Sequence, residues 1–136
     1  MCGIAGFTRF HHSFGDLATL RKMGDAIAHR GPDAHGEYLD QQVGLSHRRL
    51  SIIDLSEAGT QPMHSADGNL VLVFNGEIYN FQELRSQLVG KGYQFRSESD
   101  TEVLLNLYHC FGDQMLGKLN GIFAFVVWDS RKEELF

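Results

Sequence analysis

Apolar residues recur at a helical period in three stretches of the chain. The first starts after Asp16 and ends before Gly31, and the others cover residues 81–89 and 101–111. In each stretch apolar side chains stand three or four positions apart, which is the spacing of one face of an amphipathic helix. The pattern therefore predicts three helices that each bury one face.

Polar residues and glycine mark the ends of the last two predicted helices. Asn80 is placed as an N-cap with Glu83 three residues on, and Ser99 and Glu102 have the spacing of a capping box. Gly112 stands where the last helix would stop. These residues predict where both helices begin and where the second one ends.

Short apolar or alternating runs predict the strands. They cover residues 3–7, 36–39, 43–47, 70–74, 94–97, 122–128 and 133–136. Helices and strands follow one another without the strand–helix–strand alternation of a parallel sheet, so the predicted class is an α+β layered domain with mostly antiparallel sheets. The chain ends within an apolar strand, and we therefore expect a domain truncated at its C-terminal end.

Composition narrows the class of protein. The chain has 136 residues, 43% of them apolar, and a formal net charge of −5. This predicts one globular domain over residues 1–136, without the basic surface that binds nucleic acid. No apolar run approaches the ~18–20 residues of a membrane span, and we recognise no export signal. A cytoplasmic protein that binds neither nucleic acid nor membrane is expected.

Cysteines and histidines give no sign of a metal site. The seven histidines show no metal-ligand spacing, so no metal is predicted and no role is assigned to them. The two cysteines, Cys2 and Cys110, are too few for a disulfide framework. Cys110 falls on the same predicted helix face as Val103, which indicates a reduced core residue.

Cys2 is the first candidate for chemistry. Cysteine is small enough that the initiator methionine is normally removed, which would leave a thiol and a free α-amine on one residue. The amine can then act as the base that takes the thiol proton near neutral pH. The glycine-rich residues 3–6 let the backbone and a ligand approach closely. The alternative is that the Met-Cys start has no functional meaning.

Asn75-Gly76 follows the apolar run at 70–74 and supports two interpretations. This dipeptide is the strongest short signal for a tight hairpin turn. In the functional interpretation, the Asn75 side-chain amide and the Gly76 backbone N–H donate to the oxyanion that forms when a thiolate attacks an amide carbonyl. Both interpretations require glycine at this position.

Arg49 and Asp100 are candidates for binding the two charged ends of an amino acid. A guanidinium matches a carboxylate with two parallel hydrogen bonds, although a surface ion pair is the commoner fate of an arginine, and Arg48 is a competing candidate. If Ser99 caps the helix, the Asp100 carboxylate is free to bind an α-ammonium group; otherwise Asp100 itself serves the helix N-terminus. Together these residues describe a site for glutamine.

Six short motifs, in this order and spacing, resemble class II glutamine amidotransferases and are most similar to the glutaminase domain of asparagine synthetases. The similarity extends over nearly the whole chain, including residues 121–125. The motifs are Met-Cys-Gly-Ile-Ala-Gly at 1–6, His-Arg-Gly-Pro-Asp at 29–33, Arg-Leu-Ser-Ile-Ile-Asp at 49–54, Gly-Thr-Gln-Pro-Met at 59–63, Phe-Asn-Gly-Glu-Ile-Tyr-Asn at 74–80 and Ser-Asp-Thr-Glu at 99–102.

The resemblance implies an N-terminal-nucleophile hydrolase fold, a four-layer αββα sandwich of antiparallel sheets. It implies that Cys2 is the nucleophile with its own amine as base. The same resemblance implies which residues form the oxyanion hole and which bind glutamine, and it implies no metal ligands. The implied catalytic residues are Cys2, Asn75 and Gly76, and the implied glutamine-binding residues are Arg49, Leu50, Ile53, Asn75, Gly76, Glu77 and Asp100.

The implied reaction is hydrolysis of the glutamine side-chain amide to glutamate and ammonia through a Cys2 thioester. In full-length relatives the ammonia reaches a C-terminal synthetase domain, where ATP and Mg²⁺ activate aspartate for asparagine synthesis. No motif of that domain occurs in residues 1–136, so the domain is expected to be absent and no cofactor is expected here. A homodimer is left open. The alternatives are a glutaminase domain that supplies another acceptor synthase and a silent fragment that only binds a partner.

Overall fold

The computed structural model describes residues 2–9, 15–51 and 56–136. Short 3-10 segments follow or precede several of its elements, at Ala28–Arg30, Glu57–Gly59 and Gly112–Lys118. The helices and strands are β1 (Gly3–Thr8), α1 (Leu17–Ala26), β2 (Ala34–Leu39), β3 (Val43–Arg49), β4 (Met63–His64), β5 (Leu70–Ile78), α2 (Phe81–Gly90), α3 (Asp100–Phe111), β6 (Gly121–Asp129) and β7 (Glu134–Leu135).

The described strands form two antiparallel sheets. The first sheet has the order β1-β3-β2 and the second has the order β4-β5-β6-β7. The β5–β6 ladder is the longest, and it runs from Leu70 opposite Asp129 to Ile78 opposite Gly121. Helix α1 packs on the first sheet, whereas α2 and α3 cover the second. This arrangement is the predicted αββα sandwich.

Two hydrophobic clusters fill the layers. The cluster between the sheets contains Val43 and Leu45 from β3, Val71 and Val73 from β5, and Trp128 from β6. The second cluster joins β5 to α2 and α3 and is larger. Because successive side chains of a strand point to opposite faces, β5 supplies odd-numbered residues to the first cluster and even-numbered residues to the second.

The three predicted helices are confirmed, with differences at their ends. Helix α1 begins after Asp16, whose side chain accepts a hydrogen bond from Thr19 N–H at 2.7 Å. The helix ends at Ala26, earlier than predicted, and a 3-10 segment continues the chain to Arg30. Asn80 precedes α2 but makes no side-chain cap. Its side chain instead accepts a hydrogen bond from Asn120 N–H at 3.0 Å and donates one to the Lys118 carbonyl at 2.9 Å.

Half of the predicted capping box at α3 is confirmed. Ser99 Oγ accepts from Glu102 N–H at 3.3 Å. The Glu102 carboxylate, however, accepts from Arg96 N–H at 2.9 Å and from Ser97 N–H at 2.7 Å rather than from Ser99 N–H. The strand predicted at 94–97 is wrong for the same reason. Backbone donors that are bound to a carboxylate are not available for a strand ladder.

The turn interpretation of Asn75-Gly76 is also wrong, because β5 continues without a break to Ile78. Gly76 lies opposite Phe123 in the β5–β6 ladder. A Cβ atom at position 76 would lie 2.2 Å from the Ile122 carbonyl oxygen, a distance that real Cβ atoms essentially never show. Glycine is therefore required here by the close approach of β6 and not by a turn.

Within the described ranges, no helix combines the length and the apolar character needed to cross a membrane.

Candidate active site

A cleft of about 230 Å³ opens at one end of the sandwich. It is bounded by the start of β1, the end of β3, the C-terminal half of β5 and the start of α3. The structure brings most of the predicted site residues to this one cleft, while Ile53 lies outside the described residues. The predicted residues that line it are Cys2, Arg49, Leu50, Gly76, Glu77 and Asp100.

Cys2 lies at the cleft immediately before β1. Because Gly3 pairs with Arg48, the antiparallel ladder holds Cys2 beside the end of β3. The partly buried Sγ atom accepts a hydrogen bond from Leu50 N–H at 3.3 Å. The Leu50 carbonyl oxygen lies 3.6 Å from the same sulfur. The thiol is thus held between two backbone groups instead of being free to rotate in solvent.

Arg48 and Arg49 point to opposite faces of β3, which separates the two candidates for carboxylate binding. Arg48 donates to the Gly24 carbonyl at 3.0 Å and to the Asp25 carboxylate, so it belongs to the contact with α1. The Arg49 side chain is buried at 8% exposure, lines the cleft and donates to the Ser56 carbonyl at 2.8 Å. Only Arg49 is therefore positioned to meet a molecule in the cleft.

The loop at 31–33 is hydrogen-bonded to the chain at the end of β3, where that strand reaches the cleft. Asp33 N–H donates to the Arg49 carbonyl at 3.0 Å, and the Asp33 carboxylate accepts from Ser51 N–H at 2.8 Å. A Cβ atom on Gly31 would lie 2.4 Å from the carbonyl carbon of Arg48, so only glycine allows this packing. The motif at 29–33 thereby fixes the backbone that carries Arg49 and the Cys2 contact.

Asn75 and Gly76 stand in the C-terminal half of β5, at the end of the sandwich where the cleft opens. Asn75 lies on the strand face that Val71 and Val73 share, which faces the first sheet. Its Oδ1 atom is buried and has no hydrogen-bond partner among the described residues. A buried polar atom without a partner costs ~1–3 kcal/mol, so the Asn75 side-chain oxygen is an acceptor with unused hydrogen-bonding capacity. Gly76 lines the cleft, whereas Asn75 is not among the residues that line it.

Asp100 is the first residue of α3, and the residue is buried at 5% exposure. Its Oδ2 atom accepts from Ile78 N–H at 3.0 Å, so the carboxylate is not entirely free as predicted. Burial raises the pKa of Asp100 above its ordinary value, and the nearby negative charge of Glu77 adds to this. A cation that enters the cleft would relieve both costs.

The described residues contain no group of three or more histidine, cysteine, aspartate or glutamate side chains arranged to hold a metal ion.

Comparison with known proteins gives the family. The model of the glutamine amidotransferase domain matches residues 1–136. The chain belongs to this family.

Several curated proteins are similar to the chain over all or nearly all of its length. Asparagine synthetase [glutamine-hydrolyzing] 1 of Bacillus subtilis is 42% identical over 139 residues, which are 100% of this chain and 22% of that protein. Asparagine synthetase B of Escherichia coli is 44% identical over 98% of the chain and 24% of that protein. Amidase chry2 of Gibberella zeae is 42% identical over 99% and 22%. The chain thus spans under a quarter of these relatives.

Solved structures give the same assignment. Glutamine phosphoribosylpyrophosphate amidotransferase from Bacillus subtilis, complexed with ADP and GMP, matches with a TM-score of 0.54 and 28% identity, over 64% of this chain and 21% of that one. Together with the two antiparallel sheets between helices, this match confirms the predicted N-terminal-nucleophile hydrolase fold.

Eight residues of this glutamine amidotransferase domain line the cleft without having been predicted as site residues: Ser51, Gly59, Gln61, Phe74, Tyr79, Ser99, Thr101 and Ile122. Gln61 is 5% exposed, and its Oε1 atom accepts from Phe74 N–H at 2.6 Å. Its Nε2 atom donates to Thr101 Oγ1 at 3.3 Å. The signal for Gln61 was its place in the motif at 59–63, but nothing in the local sequence indicated its contacts.

Proposed function

We propose that this chain hydrolyses the side-chain amide of glutamine to glutamate and ammonia through a thioester on Cys2. We further propose that the ammonia serves the ATP-dependent synthesis of asparagine from aspartate in the full-length protein. The observation that carries the proposal is a single cleft that contains Cys2, Gly76, Arg49 and Asp100. This set comprises a nucleophile, an oxyanion donor and one group for each charged end of an amino acid.

Removal of Met1 activates Cys2 in this mechanism. The freed α-amine takes the thiol proton, and the thiolate attacks the glutamine side-chain carbonyl carbon. The Leu50 N–H that donates to Sγ at 3.3 Å supports this step, because a hydrogen bond to the charged form favours that form. The retained methionine would leave Cys2 as an ordinary thiol.

Gly76 N–H and the Asn75 amide stabilise the oxyanion of the tetrahedral intermediate. In an antiparallel ladder the residues of one strand direct their backbone groups alternately toward and away from a given neighbour. Tyr79 N–H donates to the Asn120 carbonyl at 2.7 Å, on the side of β6. Because Gly76 is three residues before Tyr79, its N–H points the opposite way, away from β6 and toward the cleft that Gly76 lines. One donor of this kind contributes ~2.7–4 kcal/mol to transition-state stabilisation.

Arg49 and Asp100 hold the two ends of glutamine. The guanidinium of Arg49 pairs with the α-carboxylate, and the buried Asp100 carboxylate pairs with the α-ammonium. The raised pKa of Asp100, which burial causes, supports a partner of positive charge at this position. We assign further glutamine contacts to Leu50, Ile53 and Glu77.

The reaction then proceeds in two halves. Collapse of the first intermediate breaks the carbon–nitrogen bond, and the α-ammonium of Cys2 returns its proton so that the nitrogen leaves as ammonia. Water, deprotonated by the same α-amine, attacks the thioester, and the second intermediate releases glutamate and the Cys2 thiolate. The same oxyanion donors serve both halves.

The acceptor of the ammonia is proposed from the relatives. Two of those described above are named glutamine-hydrolysing asparagine synthetases, and each is much longer than this chain. ATP and Mg²⁺ would act in the synthetase domain of such a protein. The similarity to Amidase chry2, at 42% identity, favours as a second candidate a glutaminase domain that supplies a different acceptor.

Intact mass spectrometry tests the glutaminase proposal directly. The protein is weighed before and after incubation with 6-diazo-5-oxo-L-norleucine, which alkylates glutaminase nucleophiles, with Cys2→Ala and Cys110→Ala as the matched pair of variants. We expect loss of Met1, one adduct that Cys2→Ala abolishes and Cys110→Ala retains, and protection by excess glutamine. A processed chain that forms no adduct would instead favour a silent binding module.

A further inference from the structure

The edge of β5 that faces away from β6 is only partly covered by a strand. Among the described residues, β4 pairs with β5 at Met63↔Leu72 and His64↔Val71 and goes no further. Beyond this point the outward backbone groups belong to Phe74, Gly76 and Ile78, because alternate residues face the same edge. These groups need partners other than a strand.

Two buried side chains supply the partners of Phe74. Gln61 Oε1 accepts from Phe74 N–H at 2.6 Å, and His47 Nε2 lies 3.1 Å from the Phe74 carbonyl oxygen. Gln61 precedes β4, whereas His47 comes from β3 in the other sheet. The two side chains are 5% and 0% exposed, respectively. They therefore hold both backbone groups of the residue directly before Asn75-Gly76.

The hydrogen bond fixes the state of the histidine. A carbonyl oxygen can only accept, so Nε2 of His47 carries the proton. Burial lowers the pKa of His47 to about 4, and the positive charge of Arg49 contributes in the same direction. His47 is consequently a neutral donor at physiological pH. Its Nδ1 atom has no hydrogen-bond partner among the described residues, so the Phe74 carbonyl is the one hydrogen-bond partner of this ring there.

A second contact holds β5 on the other side of Gly76. Ile78 N–H donates to Asp100 Oδ2 at 3.0 Å, and Gln61 Nε2 donates to Thr101 Oγ1 at 3.3 Å. Both contacts lead to the first turn of α3. Gly76 thus stands between Phe74, whose outward N–H and carbonyl are both bound by side chains, and Ile78, whose outward N–H is bound by Asp100. The outward N–H of Gly76 itself faces the cleft.

We propose that His47 and Gln61 are positioning residues for the oxyanion hole. They fix the Phe74 backbone and thereby aim the Gly76 N–H and the Asn75 amide at the reacting carbonyl. The inference rests on the proposed glutaminase function, and it goes beyond that function by assigning roles to two residues that need not touch glutamine's reacting atoms. A purely structural role would give a different result, because it would change stability and leave the chemical step unaffected.

The test compares four variants of the protein in its natural length. His47→Leu removes the donor, and His47→Gln keeps an amide N–H at a similar distance along the side chain. Gln61→Met removes the acceptor at similar volume. His35→Leu is the control, because His35 is exposed on the neighbouring strand β2 and does not line the cleft. Each variant is assayed for glutaminase kcat and KM, and for inhibition by the aldehyde analogue of glutamine, L-glutamate γ-semialdehyde.

The aldehyde separates positioning from general damage. Cys2 adds to it to give a thiohemiacetal whose oxygen occupies the oxyanion hole, so its affinity reports on that hole. We expect His47→Leu and Gln61→Met each to lower kcat ~10- to 100-fold and to change KM by less than about threefold. The loss in kcat is smaller than the ~10²- to 10³-fold loss that follows removal of an oxyanion donor itself. Aldehyde affinity should fall with kcat, and His47→Gln should recover most of both.

Unchanged kcat and aldehyde affinity in folded His47→Leu and Gln61→Met would overturn the inference, even if their unfolding temperatures fall. If His47→Leu does not fold, Gln61→Met decides the question by the same criterion. Failure of the underlying function looks different, since the unmutated protein would then release no ammonia from glutamine and form no adduct on Cys2. The two failures are therefore distinguishable.

Discussion

The space between the two sheets has two halves of opposite character. In the apolar half, β3 contributes Val43 and Leu45 and β5 contributes Val71 and Val73 to a cluster of buried apolar side chains. In the polar half, the next inward positions of the same strands are polar: His47 and Arg49 in β3, Asn75 and Glu77 in β5.

The two halves are stabilised in different ways. In the apolar half the contacts are non-directional, and any well-fitting apolar set would serve. In the polar half each buried group needs a specific partner, such as Phe74 for His47 or Ser56 for Arg49. The inward side chains of β3 and β5 both change from apolar to polar toward the same end of the sandwich. These two strands can therefore supply both stability and a binding cleft.

The largest expected effect comes from removing the nucleophile of the polar half. Cys2→Ala should lower glutaminase kcat by at least about 10⁴-fold, because no other group can form the thioester. Its unfolding temperature should change little, since Cys2 is only partly buried. Ammonia release and a thermal melt measure the two effects, with Cys110→Ala as the control that keeps activity. An active Cys2→Ala protein would refute the assignment.

A substitution in the apolar half should show the opposite behaviour. Leu45 is 3% exposed, and Leu45→Ala should lower the free energy of unfolding by about 2–5 kcal/mol through lost burial and the cavity that remains. At temperatures where the variant is folded, KM for glutamine should be unchanged. Urea unfolding and steady-state kinetics provide the measurements. A large rise in KM would show that the two halves are not separable.

The two adjacent arginines of β3 offer a matched comparison across the sheet. Arg49→Lys should raise KM for glutamine about 10- to 100-fold, because a lysine cannot pair with the α-carboxylate through two parallel hydrogen bonds. Arg48→Lys should leave KM unchanged, since Arg48 contacts Gly24 and Asp25 of α1. Equal effects of the two substitutions on KM would contradict the proposed role of Arg49.

The smallest expected effect is a dependence of stability on pH that originates in the polar half. The pKa of His47 is about 4 in the folded protein, below the value of about 6.5 for an exposed histidine. Between these values the unfolded chain binds a proton that the folded chain does not, so stability falls as pH is lowered from about 6.5 to about 4.

This contribution is at most about 1.4 kcal/mol per pH unit. His47→Gln cannot take up the proton, so its stability should change less over the same pH range. Urea unfolding of both proteins between pH 7 and pH 4 measures the difference. Parallel curves would mean that His47 is not held neutral by burial.

Local pattern predicted the elements well where one face of each is plainly apolar. Helix α3 and the β6–β7 hairpin were expected close to their observed bounds. The pattern failed at residues 94–97, where the Glu102 side chain folds back from the first turn of α3 and its carboxylate binds the backbone donors of Arg96 and Ser97. It also failed at Asn75-Gly76, whose turn preference is overridden by the neighbouring strand β6.

For the candidate site, the sequence by itself determined which residue types are present, their order, and the family that the motifs resemble. Only the tertiary structure decided between Arg48 and Arg49, because the choice depends on which face of β3 is turned toward the second sheet. Only the tertiary structure revealed the contacts of Gln61 and His47 with Phe74. Short-range periodicity reports which face of an element is buried, whereas partners of buried polar groups come from segments far apart in the chain and are fixed only when the sheets pack.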